Sequence, residues 1–160
     1  MQEYMTTLND KIQFTAEGLA EIQAELSELK DKKLPAAVER VARARDFGDL
    51  SENAEYHAAK EELSFIEGRV EELEEIVRKA VVVKKDNGNS EVGIGCKVTV
   101  EVGGKEQTYE VVGEWEADPL KKRISHTSPL GSALLGKKKG DAVEFEAPAG
   151  KVIYKIKKIH

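Results

Sequence analysis

The stretch "DFGDLSENAEY", residues 46–56, places four acidic residues, a glycine and an asparagine between two long charged segments. Gly48 can adopt backbone conformations that reverse the chain, and Ser51 or Asn53 can cap a helix that follows. The stretch therefore predicts the turn of a helical hairpin with carboxylates at its tip.

The segment after this turn carries one unbroken apolar seam. Its members alternate steps of three and four residues and are Tyr56, Ala59, Leu63, Ile66, Val70, Leu73, Val77 and Ala80. Glu, Lys and Arg flank the seam, and only Gly68 interrupts the helix-favouring residues between Glu55 and Arg69. Such spacing predicts a long helix packed against one partner helix.

The segment before the turn carries a similar seam with one slip. After Thr15, a plausible N-cap, the seam runs through Leu19, Ile22, Leu26 and Leu29, and then continues one residue late through Leu34, Val38, Val41 and Arg45. The slip falls beside Pro35, which lacks a backbone donor, so we expect a kink or a local change of supercoil there.

Together these segments predict an antiparallel coiled-coil hairpin within residues 1–83, with its acidic tip near residues 46–55. Each arm of about 27–30 residues would be roughly 40–45 Å long at 1.5 Å per residue. Such an element buries little but can carry carboxylates into a deep, narrow cavity of a larger partner.

Composition separates the two halves of the 160-residue chain. Residues 1–80 hold 11 Lys+Arg against 19 Asp+Glu, a net charge of −8, whereas residues 81–160 hold 14 against 11, a net charge of +3. The halves are therefore expected to meet different surfaces.

With a single cysteine, no charged-then-apolar leader and no long apolar run, the chain is expected to be cytoplasmic, without membrane contact. Cys96 opens the apolar run "CKVTVEV", which predicts a buried, inert thiol.

The C-terminal half changes to a period of two residues. Residues 84–93, "KKDNGNSEVG", predict a linker, and residues 94–160 predict a small antiparallel sheet. The strand candidates are "CKVTVEV", "EQTYEVVG", "KRISHTS", "DAVEFEA" and "KVIYKIKKI". One short helix is predicted to begin at Pro129 and to stop at Gly136. The expected fold class is α+β.

Two motifs carry a resemblance to a known family. "ARDFGDLSENAEYHAAKEE", residues 44–62, resembles the tip motif of the bacterial Gre transcript cleavage factors, and of the GreA branch in particular. "SPLGSALLGKKKGDAVEFEAPAG", residues 128–150, resembles the C-terminal signature of the same family. The similarity extends from about Phe14 to Ile159. It implies a coiled-coil hairpin followed by an FKBP-like domain that docks on the polymerase.

The resemblance also implies a function. Members of this family insert the hairpin into the secondary channel of bacterial RNA polymerase and induce the polymerase to hydrolyse backtracked RNA, whose 3′ end has left the active centre. The two essential tip acids match Asp49 and Glu52, so the expected cofactor is Mg²⁺ shared with the polymerase and not held stably by this chain alone. The chain itself is expected to be a monomer and not an enzyme.

Further tip residues have two readings each. Asn53 and Tyr56 match family motif positions and could shape the tip or touch RNA, although Tyr56 also lies on the apolar seam. Arg43 and Arg45, with Arg40, could contact RNA phosphates, or could form a solvated face paired with Glu39 and Asp46. For Asp46 and Glu55 we favour capping or solvation over catalysis.

At two other places we favour solvated surface side chains over a functional site. His57 and Glu61 have the i, i+4 spacing of metal ligands, but without a second histidine in the segment a solvated pair is expected. The run Lys137–Lys139 is expected to be a solvated turn.

Three other function classes compete with cleavage stimulation. A channel-occluding regulator without cleavage activity would not need the Asp-Leu-x-Glu spacing that this sequence has. A prolyl isomerase is disfavoured because fold analogy does not carry function and few aromatic residues are present to line a pocket. A purely structural coiled coil would leave the acidic tip and the second domain without a purpose.

Overall fold

The computed structural model describes residues 11–48, 52–84 and 90–160. Its helices are α1 (Ala16–Glu28), α2 (Leu34–Arg45), α3 (Ala54–Lys79) and α4 (Pro129–Leu134), with a π-helical turn at Leu29–Lys33 and 3₁₀ turns at Glu114–Glu116 and Pro119–Lys121. Its strands are β1 (Ile12–Phe14), β2 (Ala80–Val82), β3 (Lys97–Val102), β4 (Lys105–Val112), β5 (Arg123–Ser125), β6 (Ala142–Ala147) and β7 (Gly150–Ile159).

These elements form two compact units. The hairpin unit is Ala20–Lys79, and the sheet unit holds the described residues before Ala20 and after Lys79. The predicted domain boundaries at residues 83 and 94 stay predictions, because half of the predicted linker, residues 85–89, lies outside the described residues.

The hairpin unit confirms the predicted helical hairpin. Ion pairs between the arms join Lys30 to Glu74 and Arg40 to Glu62, so a later residue of the first arm meets an earlier residue of the second, as in an antiparallel pair. The buried residues of α3 include the predicted seam members Ala59, Ile66, Val70 and Leu73. Near the end of the helix the prediction was wrong, because Ile76 is buried whereas Val77 is only half-buried. At 26 residues, α3 is about 39 Å long at 1.5 Å per residue.

A π-helical turn accommodates the slip in the first arm. The seam steps five residues from Leu29 to Leu34, and the Leu34 N–H donates to the Leu29 carbonyl across that same interval. A π turn holds one more residue than an α turn, so it absorbs the extra residue. Pro35 follows in the first turn of α2, where its missing donor costs little.

The seam beyond the π turn differs from the prediction. Ala37, Val41 and Ala44 are buried, whereas Val38 is 50% exposed and Arg45 is exposed. After Leu34 the next step is three residues and not four, which exchanges Val38 for Ala37. Because alanine is small, Ala37, Ala44 and the facing-arm Ala59 can lie buried where larger side chains would hold the helices apart.

The sheet unit contains a five-stranded sheet in the order β5-β4-β3-β7-β6. The predicted small sheet with one short helix is confirmed, and three of its four strand pairs are antiparallel. The fourth corrects the prediction, because β5 runs parallel to β4. The connection, residues 113–122, contains both 3₁₀ turns and is long enough to carry the chain back before β5 begins. The expected likeness to the FKBP fold stays a prediction.

One face of this sheet forms a contiguous core with α4. Its buried members are Val92, Cys96, Val98, Val100, Val111, Leu134, Val143, Ile156 and Ile159. The predicted burial of the Cys96 thiol is therefore confirmed. The β3–β4 hairpin turns at Gly103 and Gly104, whose φ angles of 57° and 78° suit the two central positions of a type I′ turn.

A short parallel pair was not predicted from the sequence. β1 pairs with β2, Ile12 opposite Ala80 and Phe14 opposite Val82, and the Phe14 side chain is fully buried. Next to it, Thr15 caps α1 as predicted, because its hydroxyl accepts the Gly18 N–H at 3.1 Å. No helix within the described ranges is long and apolar enough to cross a membrane.

Candidate functional site at the hairpin tip

The first arm ends in a tight turn before the tip. The Asp46 N–H donates to the Arg43 carbonyl at 3.2 Å, and the Phe47 N–H donates to the Ala44 carbonyl at 3.3 Å. Gly48 then adopts a φ of 103°, a region that disfavours side chains, as the predicted reversal requires. The helix therefore stops within three residues of Arg45.

Asn53 joins the two arms at the tip. Its Oδ1 accepts the Tyr56 N–H at 3.0 Å, which confirms the predicted cap of α3, and its Nδ2 donates to the Ala44 carbonyl at 2.8 Å. One side chain thus satisfies a donor at the start of α3 and an acceptor at the end of α2. This double contact was not predicted. Ser51, the alternative cap, lies outside the described residues.

Glu52 lies directly before this cap and is exposed to solvent. Its position at the N-terminal end of α3 is one where acidic residues are common in helical proteins. Asp49, the other predicted tip acid, lies outside the described residues. The predicted pairing of the two acids is therefore untested.

The remaining predicted contact residues surround the tip. Arg43 and Arg45 are both exposed, and the Arg43 Nε lies 4.0 Å from Glu39, the partner expected in the solvated reading. Tyr56 is half-buried, and its ring centroid lies 5.8 Å from that of His57 and 5.4 Å from the Lys60 Nζ. Tyr56 therefore both packs on the seam and offers part of its ring to solvent.

Arg40 cross-links the arms just behind the tip, a role that neither reading of the arginine face included. Its Nε donates to Glu55 at 2.8 Å and its Nη1 donates to Glu62, both on α3, in place of Glu39 and Asp46. The hydrogen bond from Arg40 holds the pKa of the Glu55 carboxyl below its ordinary value, and the hydrogen bond to Glu55 raises the pKa of Arg40. Glu55 therefore pairs with Arg40 across the arms, a contact that the expected capping or solvation did not include.

Carboxylate oxygens are suitable ligands for Mg²⁺, which binds through one or two carboxylates and keeps several waters. Across residues 11–48, 52–84 and 90–160, no group of three or more His, Cys, Asp or Glu side chains is arranged to hold a metal ion. Glu52 with Asp49 would contribute two carboxylates to a site completed by another molecule. The exposed Glu52 carboxylate fits such a shared site.

A second acidic site, in the sheet unit, was missed by sequence reasoning. The Glu116 side chain is 1% exposed. It accepts the backbone N–H groups of Thr15 at 2.9 Å and Gly113 at 3.0 Å, the Thr15 hydroxyl, and the Arg123 Nη2 at 3.4 Å. A Cβ at Gly18 would lie 1.8 Å from Glu116 Oε1, so glycine is required there. The "EWEAD" stretch around Glu116 resembles an exposed acidic loop, so only the surrounding glycines hinted at this site.

Comparison with known proteins matches both halves of the chain. A family model described as "Transcription elongation factor, N-terminal" matches residues 12–82, and one described as "Transcription elongation factor, GreA/GreB, C-term" matches residues 87–160. The class of protein that both descriptions define is a transcription elongation factor.

Individual relatives agree with this class. "Transcription elongation factor GreA" of Rhodospirillum rubrum is 48% identical over 151 residues, covering 92% of this chain and 96% of the relative. The protein of the same name in Bacillus subtilis is 48% identical over 147 residues, covering 91% and 94%. A crystal structure of GreA factor homolog 1 of Thermus thermophilus is 30% identical, covers 94% of this chain and 99% of that one, and has a TM-score of 0.44. The chain belongs to the GreA/GreB family of transcription elongation factors.

Proposed function

We propose that this protein inserts its hairpin tip into the secondary channel of bacterial RNA polymerase and stimulates hydrolysis of backtracked RNA by the polymerase. The observation that carries the proposal is the exposed Glu52 carboxylate at the end of an antiparallel helical hairpin. Membership of the GreA/GreB family supports the partner and the process. The protein acts as an activator of the polymerase and is not itself a nuclease.

Two contacts between the arms hold the backbone beside Glu52 in place. Asn53 fastens the start of α3 to the end of α2, and Arg40 ties the arms together one turn further back. Glu52 is adjacent in sequence to Asn53, so its backbone position is fixed by the cap. Catalytic groups held by such a support lose less entropy when they engage their target.

The proposed cofactor is a Mg²⁺ ion shared with the polymerase, which would polarise the attacking water and stabilise charge on the phosphate. Glu52 and Asp49 would hold that ion by their carboxylate oxygens and orient the water. One of the two would accept the proton of that water. Asn53 and Tyr56 would touch the RNA end, and Arg43 and Arg45 would face its phosphates.

The rest of the proposal concerns location and docking. The C-terminal sheet domain, with its basic half-chain, would dock near the mouth of the channel, and the protein would act as a monomer in the cytoplasm. A polymerase and a backtracked transcript are then the partners that the function requires.

The test is a cleavage assay with a backtracked elongation complex assembled from purified bacterial polymerase, 3′-labelled RNA and Mg²⁺. The wild type is expected to release short labelled fragments, whereas Asp49→Ala and Glu52→Ala release few although they still bind. The Glu61→Ala variant, which removes an exposed carboxylate further along α3, is the matched control.

If the wild type binds the polymerase but releases no more RNA than the polymerase alone, cleavage stimulation is wrong. The channel-occluding regulator would then replace it. A channel-occluding regulator would slow nucleotide addition by the polymerase when the protein is present.

A further inference from the structure

One exposed aromatic side chain on the hairpin has no part in the site described above. Phe65 lies on α3 and is 76% exposed, although its neighbour Ile66 is buried in the seam. A phenyl group left in water at the middle of a helix contributes little to the stability of the hairpin. Single exposed apolar residues are common, so Phe65 needs independent support as a site.

Gly68, one turn further along α3, supplies that support. Glycine weakens a helix interior relative to alanine. A Cβ built on Gly68 would meet nothing within 4 Å in the part of the chain that the structure describes. The φ of Gly68 is not positive, so its backbone does not demand glycine either. Because residues three apart share a helix face, Phe65 and Gly68 form one surface where a partner can approach the helix backbone closely.

Two hollows flank Phe65. The first, about 580 Å³, is lined in part by Leu29 and Ile66, and the second, about 450 Å³, is lined in part by Ser64 and Gly68. Phe65 lines both hollows and is the residue that they share. A partner side chain seated in either hollow would cover the ring.

The charge around the first hollow indicates what such a partner carries. Lys33, Arg40 and Arg43 line it together with a single carboxylate, that of Glu62. Arg40 is bonded to both Glu55 and Glu62, and the Arg43 Nε lies 4.0 Å from Glu39, so Lys33 carries the positive charge that these ion pairs leave uncompensated. Within the hairpin, whose composition is otherwise acidic, this is a local reversal of sign that favours an acidic partner.

We propose that the surface formed by Phe65, Gly68 and the first hollow docks a protein segment of the polymerase channel wall. That segment places an apolar side chain against Phe65 and Gly68, and a carboxylate toward Lys33. The inference rests on the proposed insertion of the hairpin. Phe65 lies 11 residues into α3, about 16 Å behind its start at 1.5 Å per residue, so it enters the channel together with the tip.

The experiment measures equilibrium binding to purified core polymerase without nucleic acid, and separately the cleavage rate at saturating protein. Phe65→Ala and Gly68→Ala are expected to weaken binding about tenfold, as at an interface anchor, with the saturated cleavage rate unchanged. Val38→Ala removes another exposed apolar side chain of the hairpin that lines neither hollow, and it is expected to bind as the wild type does.

Gly68→Ala separates docking from structure. The added methyl group favours the helix, so the melting temperature of the protein is expected to rise while affinity falls. Lys33→Glu tests the charge of the partner. It is expected to weaken binding more at low salt than at high salt, because the lost attraction is screened by ions.

Each failure has its own meaning. If Phe65→Ala and Val38→Ala bind alike while the wild type binds and stimulates cleavage, the docking surface is wrong and the proposed function stands. If the variants lose affinity only when backtracked RNA is present, the occupant is RNA and the inference is overturned. If Lys33→Glu binds as the wild type does, the acidic chemistry of the partner is wrong. A wild type that does not bind polymerase at all overturns the proposed function as well.

Discussion

Two glutamates of this chain, Glu116 in the sheet unit and Glu52 at the hairpin tip, have opposite surroundings. Glu116 is buried and accepts hydrogen bonds from Thr15, Gly113 and Arg123. Glu52 is exposed, next to a cap that fixes the backbone and leaves the carboxylate to solvent. A carboxylate whose acceptor positions are filled from within the protein holds structure together. One whose positions remain open is available to a metal ion or a substrate.

The largest expected effect on stability comes from Glu116. Replacing it by alanine leaves two buried backbone N–H groups without their acceptor and removes one of the two carboxylates beside Arg123, so Glu116→Ala is expected to cost about 3–5 kcal/mol of unfolding free energy. Urea unfolding followed by the fluorescence of Trp115, the single tryptophan, measures this loss.

The control for this variant is Glu114→Ala, which changes an exposed glutamate of the same 3₁₀ turn. It is expected to change the unfolding free energy by no more than about 0.5 kcal/mol. Equal losses in the two variants would mean that the buried hydrogen bonds of Glu116 do not hold the sheet unit together.

The next effect concerns Asn53, the residue that fixes the tip. Asn53→Ala removes the cap of α3 and the bond to the Ala44 carbonyl, and is expected to cost about 1 kcal/mol. Asn53→Asp keeps the cap but loses the donor to Ala44, so its loss is expected to be smaller. Thermal unfolding followed by helical circular dichroism measures both losses of stability. If Asn53→Asp loses as much stability as Asn53→Ala, the capping role of Asn53 is contradicted.

A smaller effect is expected from the Arg40–Glu55 pair behind the tip. Because Arg40 lowers the pKa of Glu55, the pair stabilises the fold above the ordinary carboxyl pKa near 4.5 and loses that contribution as the pH falls through the lowered value. The melting temperature of Glu55→Gln is therefore expected to lie slightly below that of the wild type at pH 7.

Lowering the pH should remove this difference. As the pH falls through the lowered pKa of Glu55, the melting temperatures of the wild type and Glu55→Gln are expected to converge, apart from any offset that Glu61→Gln, the exposed control on the same helix, also shows. A gap that stays constant as the pH is lowered would show that the pair does not act through the charge of Glu55.

The smallest effect on stability is expected at Glu52 itself. Glu52→Gln changes an exposed side chain, so the unfolding free energy should stay within about 0.5 kcal/mol of the wild type. Thermal unfolding checks this, and a loss as large as that of Asn53→Ala would place Glu52 among the structural residues of the tip.

The same contrast explains how much of the molecule could be predicted from its sequence. The helical hairpin, the α3 seam and the caps at Thr15 and Asn53 follow from local patterns of three or four residues, which the sequence displays directly. The tip acids Asp49 and Glu52 were singled out because family resemblance pointed to them, and their role remains a prediction.

The features that were missed depend on residues distant in sequence. Strand β1 pairs with β2 across 68 positions at Ile12 and Ala80, and three-residue strands carry no readable period. The acceptor role of Glu116 depends on Thr15, 101 residues away. The slip after Leu29 was visible, but not that a π turn would absorb it and exchange Val38 for Ala37 in the seam.

The central claim is that an exposed tip carboxylate acts on the chemistry of the polymerase. The most direct measurement is the rate of RNA release from a backtracked complex at saturating protein, with wild type and Glu52→Gln compared across Mg²⁺ concentrations. The account predicts that Glu52→Gln binds as the wild type does but releases RNA at least about tenfold more slowly, with part of the loss restored by high Mg²⁺. Equal release rates for the two proteins at every Mg²⁺ concentration would contradict it.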